Sequence, residues 1–160
     1  MDMTIRWRTD VPINQRAGAI AVVGLAGATA IHALWANGSP WPAASFDELA
    51  DTVVGRRPFP GRGATWTVTA LLAAATMTVS ARSGLVPSPG GPDTLLVRAS
   101  SRAVAVTLLA RGAVGAAVSA FGVDDSTAAF RRWNLAVYSP LSLALGAATA
   151  IASRSRTPTT

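Results

Sequence analysis

The chain has 160 residues, of which half are hydrophobic and 14% are charged, and its formal net charge is +6 at pH 7. Soluble domains carry about 25% charged residues, so this composition favours a membrane protein, and the length fits one domain over residues 1–160. The chain has no Cys and a single His, which excludes a disulfide, a thiolate metal site, a cysteine nucleophile and a multi-histidine zinc site within one chain. We therefore expect neither a metal nor a cofactor.

Four long apolar segments separate the charged residues, and each has the length of a membrane-spanning helix. About 20 apolar residues, rising about 1.5 Å each, cross a hydrocarbon core of about 30 Å. In chain order the predicted spans are residues 17–36, 64–81, 103–122 and 133–152. The sequence therefore predicts an all-α fold, an integral membrane bundle of four transmembrane helices with both termini on one side.

The first apolar segment has a second interpretation as a secretory signal peptide, because Ala28-Thr29-Ala30 resembles a cleavage site. The segment is longer than the usual apolar stretch of about 7 to 15 residues, and three more segments follow it. A membrane span is therefore the favoured interpretation.

The first two connections between the spans are rich in Pro and Gly, which deny a continuous helix its backbone donors, and the third, residues 123–132, is short. The first covers residues 37–63 and the second residues 83–93. Within the first, Ser45 and Glu48 have the spacing of a capping box and predict the start of a short helix.

The 14 basic residues are all arginines, and they are distributed unequally between the two sides of the predicted bundle. Five lie on the side of the first connection, and Arg111 is inside the third span. Eight lie on the side of the termini: Arg6, Arg8, Arg16, Arg82, Arg98, Arg102, Arg154 and Arg156. The positive-inside rule then predicts that both termini lie in the cytoplasm, and we expect a multi-pass protein of a bacterial plasma membrane. The basic excess next to the membrane favours contact with the lipid bilayer and its anionic headgroups over binding of nucleic acid.

Arg111 is the charged residue within a predicted span, where a guanidinium costs at least a few kcal/mol and must face protein or water. No Asp or Glu occurs in any of the four spans, so its partner must be a neutral side chain, a loop residue or a ligand. The alternative is snorkelling toward the N-terminal end of its helix.

Small and polar residues recur at four-residue spacing in the third span (Thr107, Arg111, Gly115 and Ser119) and from Asn134 in the fourth. Such spacing predicts close helix packing or, alternatively, a polar-lined cavity. We expect Arg111, Asn134, Trp35 and Thr107 to contact a ligand if this cavity exists.

Three other residues near the predicted outer boundary have acid–base chemistry: His32, Tyr138 and Asp124. An imidazole, a phenol and a carboxylate supply an acid, a base and an orienting group if they converge. The simpler alternative is that His32 is a packing residue beside Trp35. Pro140 lacks an N–H group and predicts an irregularity in the fourth span next to Tyr138.

Two functions of different kinds follow from these residues. The first is a membrane protein that binds a lipid, a hydrophobic or anionic small molecule, a partner membrane protein or a second copy of itself. The second is a small membrane enzyme of the isomerase, cyclase or hydrolase type, using His32, Tyr138 and Asp124 on a lipid-soluble substrate. The first is favoured because no strong catalytic spacing occurs.

Two stretches of this sequence, residues 31–42 (IHALWANGSPWP) and 130–141 (FRRWNLAVYSPL), carry a family resemblance. In combination they resemble an uncharacterised bacterial family of four-helix membrane proteins, the domain of unknown function 3995. The similarity extends from about Ala17 to Ala152. It implies a four-span integral membrane protein and assigns no activity to any residue.

Overall fold

The computed structural model describes residues 12–154, and this part of the chain consists of helices and their connections, without strands. Four helical segments are long and apolar enough to cross a membrane, from which we infer insertion. They are α1 (Ile13–Ala36), α3 (Arg62–Ser83), α4 (Leu95–Phe121) and the fourth segment Ala128–Ala152. The predicted all-α fold with four membrane-length helices is thus confirmed. Arg6, Arg8 and Arg156, counted in the arginine distribution, lie outside the described residues.

The fourth segment consists of α5 (Ala128–Trp133), a π turn at Asn134–Tyr138, and α6 (Ser139–Ala152). Within the π turn the backbone bonds five residues apart, so that the N–H of Ser139 donates to the carbonyl of Asn134. Pro140 follows in the first turn of α6, where a missing N–H costs little. The irregularity predicted at Pro140 therefore takes the form of a π turn just before it.

Helix α4 is longer than the predicted third span, 103–122, because it begins at Leu95. The hydroxyl of Thr94 accepts from the N–H of Val97 at 3.4 Å and caps the helix start. The first two turns contain Arg98 and Arg102, which are good helix formers but are not apolar. A hydropathy pattern marks the part of a helix that lies in lipid, whereas capping decides where the helix begins.

The helices pack through small residues and a small apolar core. Helix α1 contacts both α3 and α6, and α4 packs mainly against α6. Between α4 and α6, a Cβ on Gly112 would lie 2.9 Å from the carbonyl oxygen of Ser139, and one on Gly146 would lie 3.0 Å from the backbone nitrogen of Leu109. Only glycine permits so close an approach of the two backbones. The fully buried core is formed by Ala21, Leu25 and Val79.

The two ends of the bundle differ in how they are covered. At the terminal face, where α1 begins and α6 ends, the turn between α3 and α4 is short. At the opposite face the first connection folds into α2 (Phe46–Leu49) and a π turn (Ala50–Val54). The hydroxyl of Ser45 accepts from the N–H of Glu48 at 3.2 Å, so the short helix predicted here is confirmed. The N–H of Thr127 donates to the carbonyl of Gly55 at 2.9 Å, which fastens this connection to the start of the fourth segment.

Candidate functional site

An open groove of about 360 Å³ lies between α4, the first connection and the fourth segment. It reaches from the opposite face of the bundle to Arg111, ten residues and therefore about 15 Å before the end of α4. Its wall combines apolar and polar side chains: Val53, Val54, Arg111, Val114, Gly115, Val118, Ser119, Asp124, Phe130 and Asn134.

Asn134 organises the polar side of the groove from a fully buried position. Its Nδ2 donates to the carbonyl of Gly115 and to the hydroxyl of Ser119, both at 2.7 Å. Its Oδ1 accepts from both terminal nitrogens of Arg111 and from the Ser139 hydroxyl, each at 3.2 Å. Because a guanidinium only donates, the amide oxygen must face Arg111 and the amide nitrogen must face α4. The π turn thus presents one side chain that joins α4 to both halves of the fourth segment.

The guanidinium of Arg111 extends toward Gly115, one turn closer to the opposite face. A Cβ on Gly115 would lie 2.2 Å from Nη1 of Arg111, so the glycine provides the space that the guanidinium occupies. The alternative of snorkelling toward the N-terminal end of the helix is therefore wrong. Within residues 12–154 no carboxylate forms an ion pair with Arg111, which bonds to the neutral amide of Asn134 and remains exposed along the groove. The groove contains a positive charge that no described side chain neutralises.

Asp124 lines the same groove but does not pair with Arg111. It follows the end of α4 in an exposed turn, and its Oδ1 accepts from the hydroxyl of Ser126 at 2.7 Å. The groove therefore has a cation at its inner end and a carboxylate at its mouth.

His32 and Trp35 lie elsewhere, in an aromatic cluster below the first connection. Nδ1 of His32 donates to the carbonyl of Ala28 at 2.8 Å, and its ring lies 4.7 Å from that of Trp35. Trp35 is buried, donates its indole N–H to the carbonyl of Trp41 at 2.7 Å, and contacts Phe59 edge to face. Both side chains are occupied by packing and hydrogen bonds within the cluster.

Tyr138 stacks on Trp133, with 6.5 Å between the ring centres, and does not line the groove. Within residues 12–154 no hydrogen bond or ring contact joins His32, Tyr138 and Asp124 to one another. The acid–base role of these three residues stays a prediction that no contact supports.

Of the four expected ligand-binding residues, Arg111 and Asn134 meet in the groove, whereas Trp35 and Thr107 do not line it. Thr107 is exposed on α4. Four-residue steps advance a helix by about 40° beyond a full turn, so residues at this spacing drift away from a common face. Gly115 and Ser119, which share this spacing with Arg111, line the groove, but the spacing gave no sign of Val53, Val54 or Ser139.

Comparison with known proteins places this arrangement in a family without assigned activity. No curated protein and no solved structure matches the chain. A family profile described as "Protein of unknown function (DUF3995)" matches residues 24–149, which include the whole groove. The resemblance carried by residues 31–42 and 130–141 is thereby confirmed, and the chain belongs to the DUF3995 family of proteins of unknown function.

Proposed function

We propose that this membrane protein binds an amphiphile, a molecule with an apolar body and an anionic head, in the groove at Arg111. The observation that carries the proposal is the guanidinium of Arg111, which lies within a membrane-length helix and, among residues 12–154, is bonded to a neutral amide alone. A charge in such a position requires a counter-charge or water. An anionic ligand group supplies the counter-charge.

The hydrogen bonds of Asn134 support a binding role, because they hold the guanidinium without neutralising it. Both donors of the amide are used on α4, and its oxygen already accepts three hydrogen bonds. Arg111 is thus fixed in one place while its charge stays available. Preorganisation of this kind raises affinity because little side-chain freedom is lost on binding.

The apolar wall of the groove suits the body of an amphiphile. Val114 and Val118 from α4 face Val53 and Val54 from the first connection and Phe130 from α5. Apolar surfaces on three elements exclude a purely polar ligand as the best occupant. Of the three residues on which the enzyme alternative depends, only Asp124 lines this groove. Binding is therefore the better-supported function.

The proposal is tested with purified protein and two probes of equal chain length, oleate and oleyl alcohol. A charge-assisted hydrogen bond contributes about 1.5–3 kcal/mol, so wild-type protein is expected to bind oleate at least about tenfold more tightly than the alcohol. Arg111→Met, which keeps an unbranched apolar side chain and removes the charged guanidinium, should abolish this preference. Arg132→Met removes an exposed arginine that does not line the groove and should keep it. Equal retention of the preference by both variants would exclude Arg111 as the anion site.

We also propose that the protein lies in a bacterial plasma membrane with its terminal face on the cytoplasmic side. Support comes from the arginine distribution and from charge pairing at the opposite face, where Arg57 forms ion pairs with Asp47 and Asp51. A reporter that works only in the cytoplasm should be active when it is fused after Thr160. Activity of a reporter that works only in the periplasm, fused at the same position, would reverse the orientation.

A further inference from the structure

A second groove, of about 330 Å³, lies between α4 and α6 at the terminal face. It is separate from the groove at Arg111 and shares none of its residues. Its wall toward the membrane interior is apolar and its outer end is basic: Ala105, Val106, Leu109 and Ala150 are followed by Arg102, Ser153 and Arg154. The order of these residues along the two helices matches the order of tail and headgroup in a phospholipid.

The two arginines at the basic end have no partner for their guanidinium groups within residues 12–154. Both are exposed. Arg57 and Arg82 differ in this respect, since Arg57 pairs with two carboxylates and Arg82 with Asp93. The charge of Arg102 and Arg154 is therefore available to an anion.

Buried polar contacts hold the end of α6 in position. Arg82, which is 1% exposed, donates from Nη2 to the carbonyls of Ser153 and Arg154 at 2.9 and 3.0 Å, and its Nη1 lies 3.1 Å from Oδ1 of Asp93. These bonds satisfy carbonyls that a helix end otherwise leaves unpaired. The backbone of Arg154 is thereby fixed to α3 and to the turn before α4.

Ser153 adds a direct link between the two helices that form the groove. Its hydroxyl donates to the carbonyl of Thr149 at 2.7 Å, so the contact of 2.6 Å with the hydroxyl of Ser101 must be donated by Ser101. The proton of Ser153 is thus used within the protein. Recognition of an anion at this groove falls to the two guanidinium groups.

We propose that this groove binds one anionic phospholipid, with its phosphate between Arg102 and Arg154 and an acyl chain along the apolar wall. Guanidinium groups bind phosphate oxygens in paired, charge-assisted hydrogen bonds, and basic pockets between transmembrane helices are suited to lipid headgroups. The apolar wall distinguishes a lipid from a soluble anion, which would leave Val106 and Leu109 uncovered. The site is a lipid site of the terminal face, and it does not depend on the function proposed for Arg111.

The test compares phosphatidylglycerol with phosphatidylcholine of the same acyl chains, titrated into purified protein in detergent and counted by native mass spectrometry. We expect wild-type protein to retain one phosphatidylglycerol at least about tenfold more strongly than phosphatidylcholine. The double variant Arg102→Gln/Arg154→Gln should lose this preference. Arg16→Gln removes one charge at the same face, from the first turn of α1 outside the groove, and should keep it. If wild-type protein retained phosphatidylglycerol and phosphatidylcholine equally, that result alone would overturn the proposal.

A second variant tests the apolar part of the site. Val106 is 64% exposed and lines the groove, so Val106→Trp fills the space for the acyl chain without changing any charge. It should weaken phosphatidylglycerol binding about tenfold or more. Glycerol 3-phosphate at millimolar concentration should not displace the lipid, and displacement at equal affinity would show a soluble-anion site and overturn the lipid assignment. The oleate preference of Arg102→Gln/Arg154→Gln should match that of wild type, so the two proposals fail separately.

Discussion

Gly115 gives the sharpest test of the geometry around Arg111. The substitution Gly115→Ala places a methyl group 2.2 Å from Nη1 of Arg111, 3.0 Å from the Ser139 hydroxyl and 3.2 Å from Nδ2 of Asn134. Ordinary contact begins at about 3.4 Å, so the guanidinium must move by more than about 1 Å. Both 3.2 Å hydrogen bonds to Asn134 are lost in that movement.

The magnitude follows from two opposing effects on the free energy of unfolding. Loss of the bonds to a charged donor costs about 1.5–3 kcal/mol. Replacement of a glycine inside a helix by alanine contributes about 1 kcal/mol in the other direction. Gly115→Ala should therefore destabilise the protein by about 0.5–2 kcal/mol and also weaken the oleate preference, because the charge leaves its fixed position.

The matched control is Gly27→Ala in α1, where a Cβ would meet no atom within 4 Å. This variant should be as stable as wild type or more stable by up to about 1 kcal/mol. Thermal unfolding in one detergent, with both variants side by side, measures the difference. The double variant Gly115→Ala/Arg111→Met should be less affected than the sum of its two single changes, because the clash disappears with the guanidinium. Stabilisation of the protein by Gly115→Ala, equal to that by Gly27→Ala, would refute the position assigned to Arg111.

Two further predictions concern the ends of the bundle. Arg82→Met removes the donor to the carbonyls of Ser153 and Arg154 just after α6 and should lower the unfolding free energy by about 1–3 kcal/mol in a thermal or denaturant unfolding experiment; an unchanged midpoint would contradict the role given to this arginine. At the opposite face, a hydrogen bond from Arg57 and then its positive charge lower the pKa of Asp51 below its usual value of 3.8. The carboxylate therefore contributes to stability above that usual value, and this contribution is lost as the pH falls through the lowered pKa. The hydrogen-exchange protection factors of residues 46–55, which compare each exchange rate with the intrinsic rate at the same pH, should stay constant from pH 7 to pH 5 and fall only below about pH 4, and Asp51→Asn should remove this acid dependence.

Features that depend on local sequence were predictable. The gaps between charges located all four long helices, because crossing a hydrocarbon core requires a minimum number of apolar residues. Ser45 and Glu48 identified the short helix α2, because capping involves residues three positions apart. Arg111 was recognisable as an exception by the same rule that found the helices.

Features that depend on contacts between distant residues were not predictable. The first connection forms one wall of the groove because it packs on the fourth segment, and the hydroxyl of Thr127 donates to the carbonyl of Asp51, 76 residues away. No periodic pattern in the sequence predicts such a contact. The side chain of Arg111 also departs from the usual tilt of helical side chains. Its direction is set by the space at Gly115 and by the oxygen of Asn134, and that oxygen is presented by a π turn without a sequence signature of its own.

The two grooves lie at opposite ends of the contact between α4 and the fourth segment. The close packing of α4 on α6 explains why the grooves remain separate. Between the grooves, Gly112 and Gly146 bring α4 and α6 together. A Cβ on Gly112 would lie 2.9 Å from the carbonyl oxygen of Ser139, and one on Gly146 would lie 3.0 Å from the backbone nitrogen of Leu109. A chain seated at Arg102 cannot pass through so close an approach to reach Arg111. Each end of the contact between α4 and the fourth segment therefore has its own groove with an arginine in its wall. Because residues without shared partners affect binding independently, Arg111→Met should remove only the oleate preference and Arg102→Gln/Arg154→Gln only the phosphatidylglycerol preference, and each loss should be unchanged when all three changes are combined.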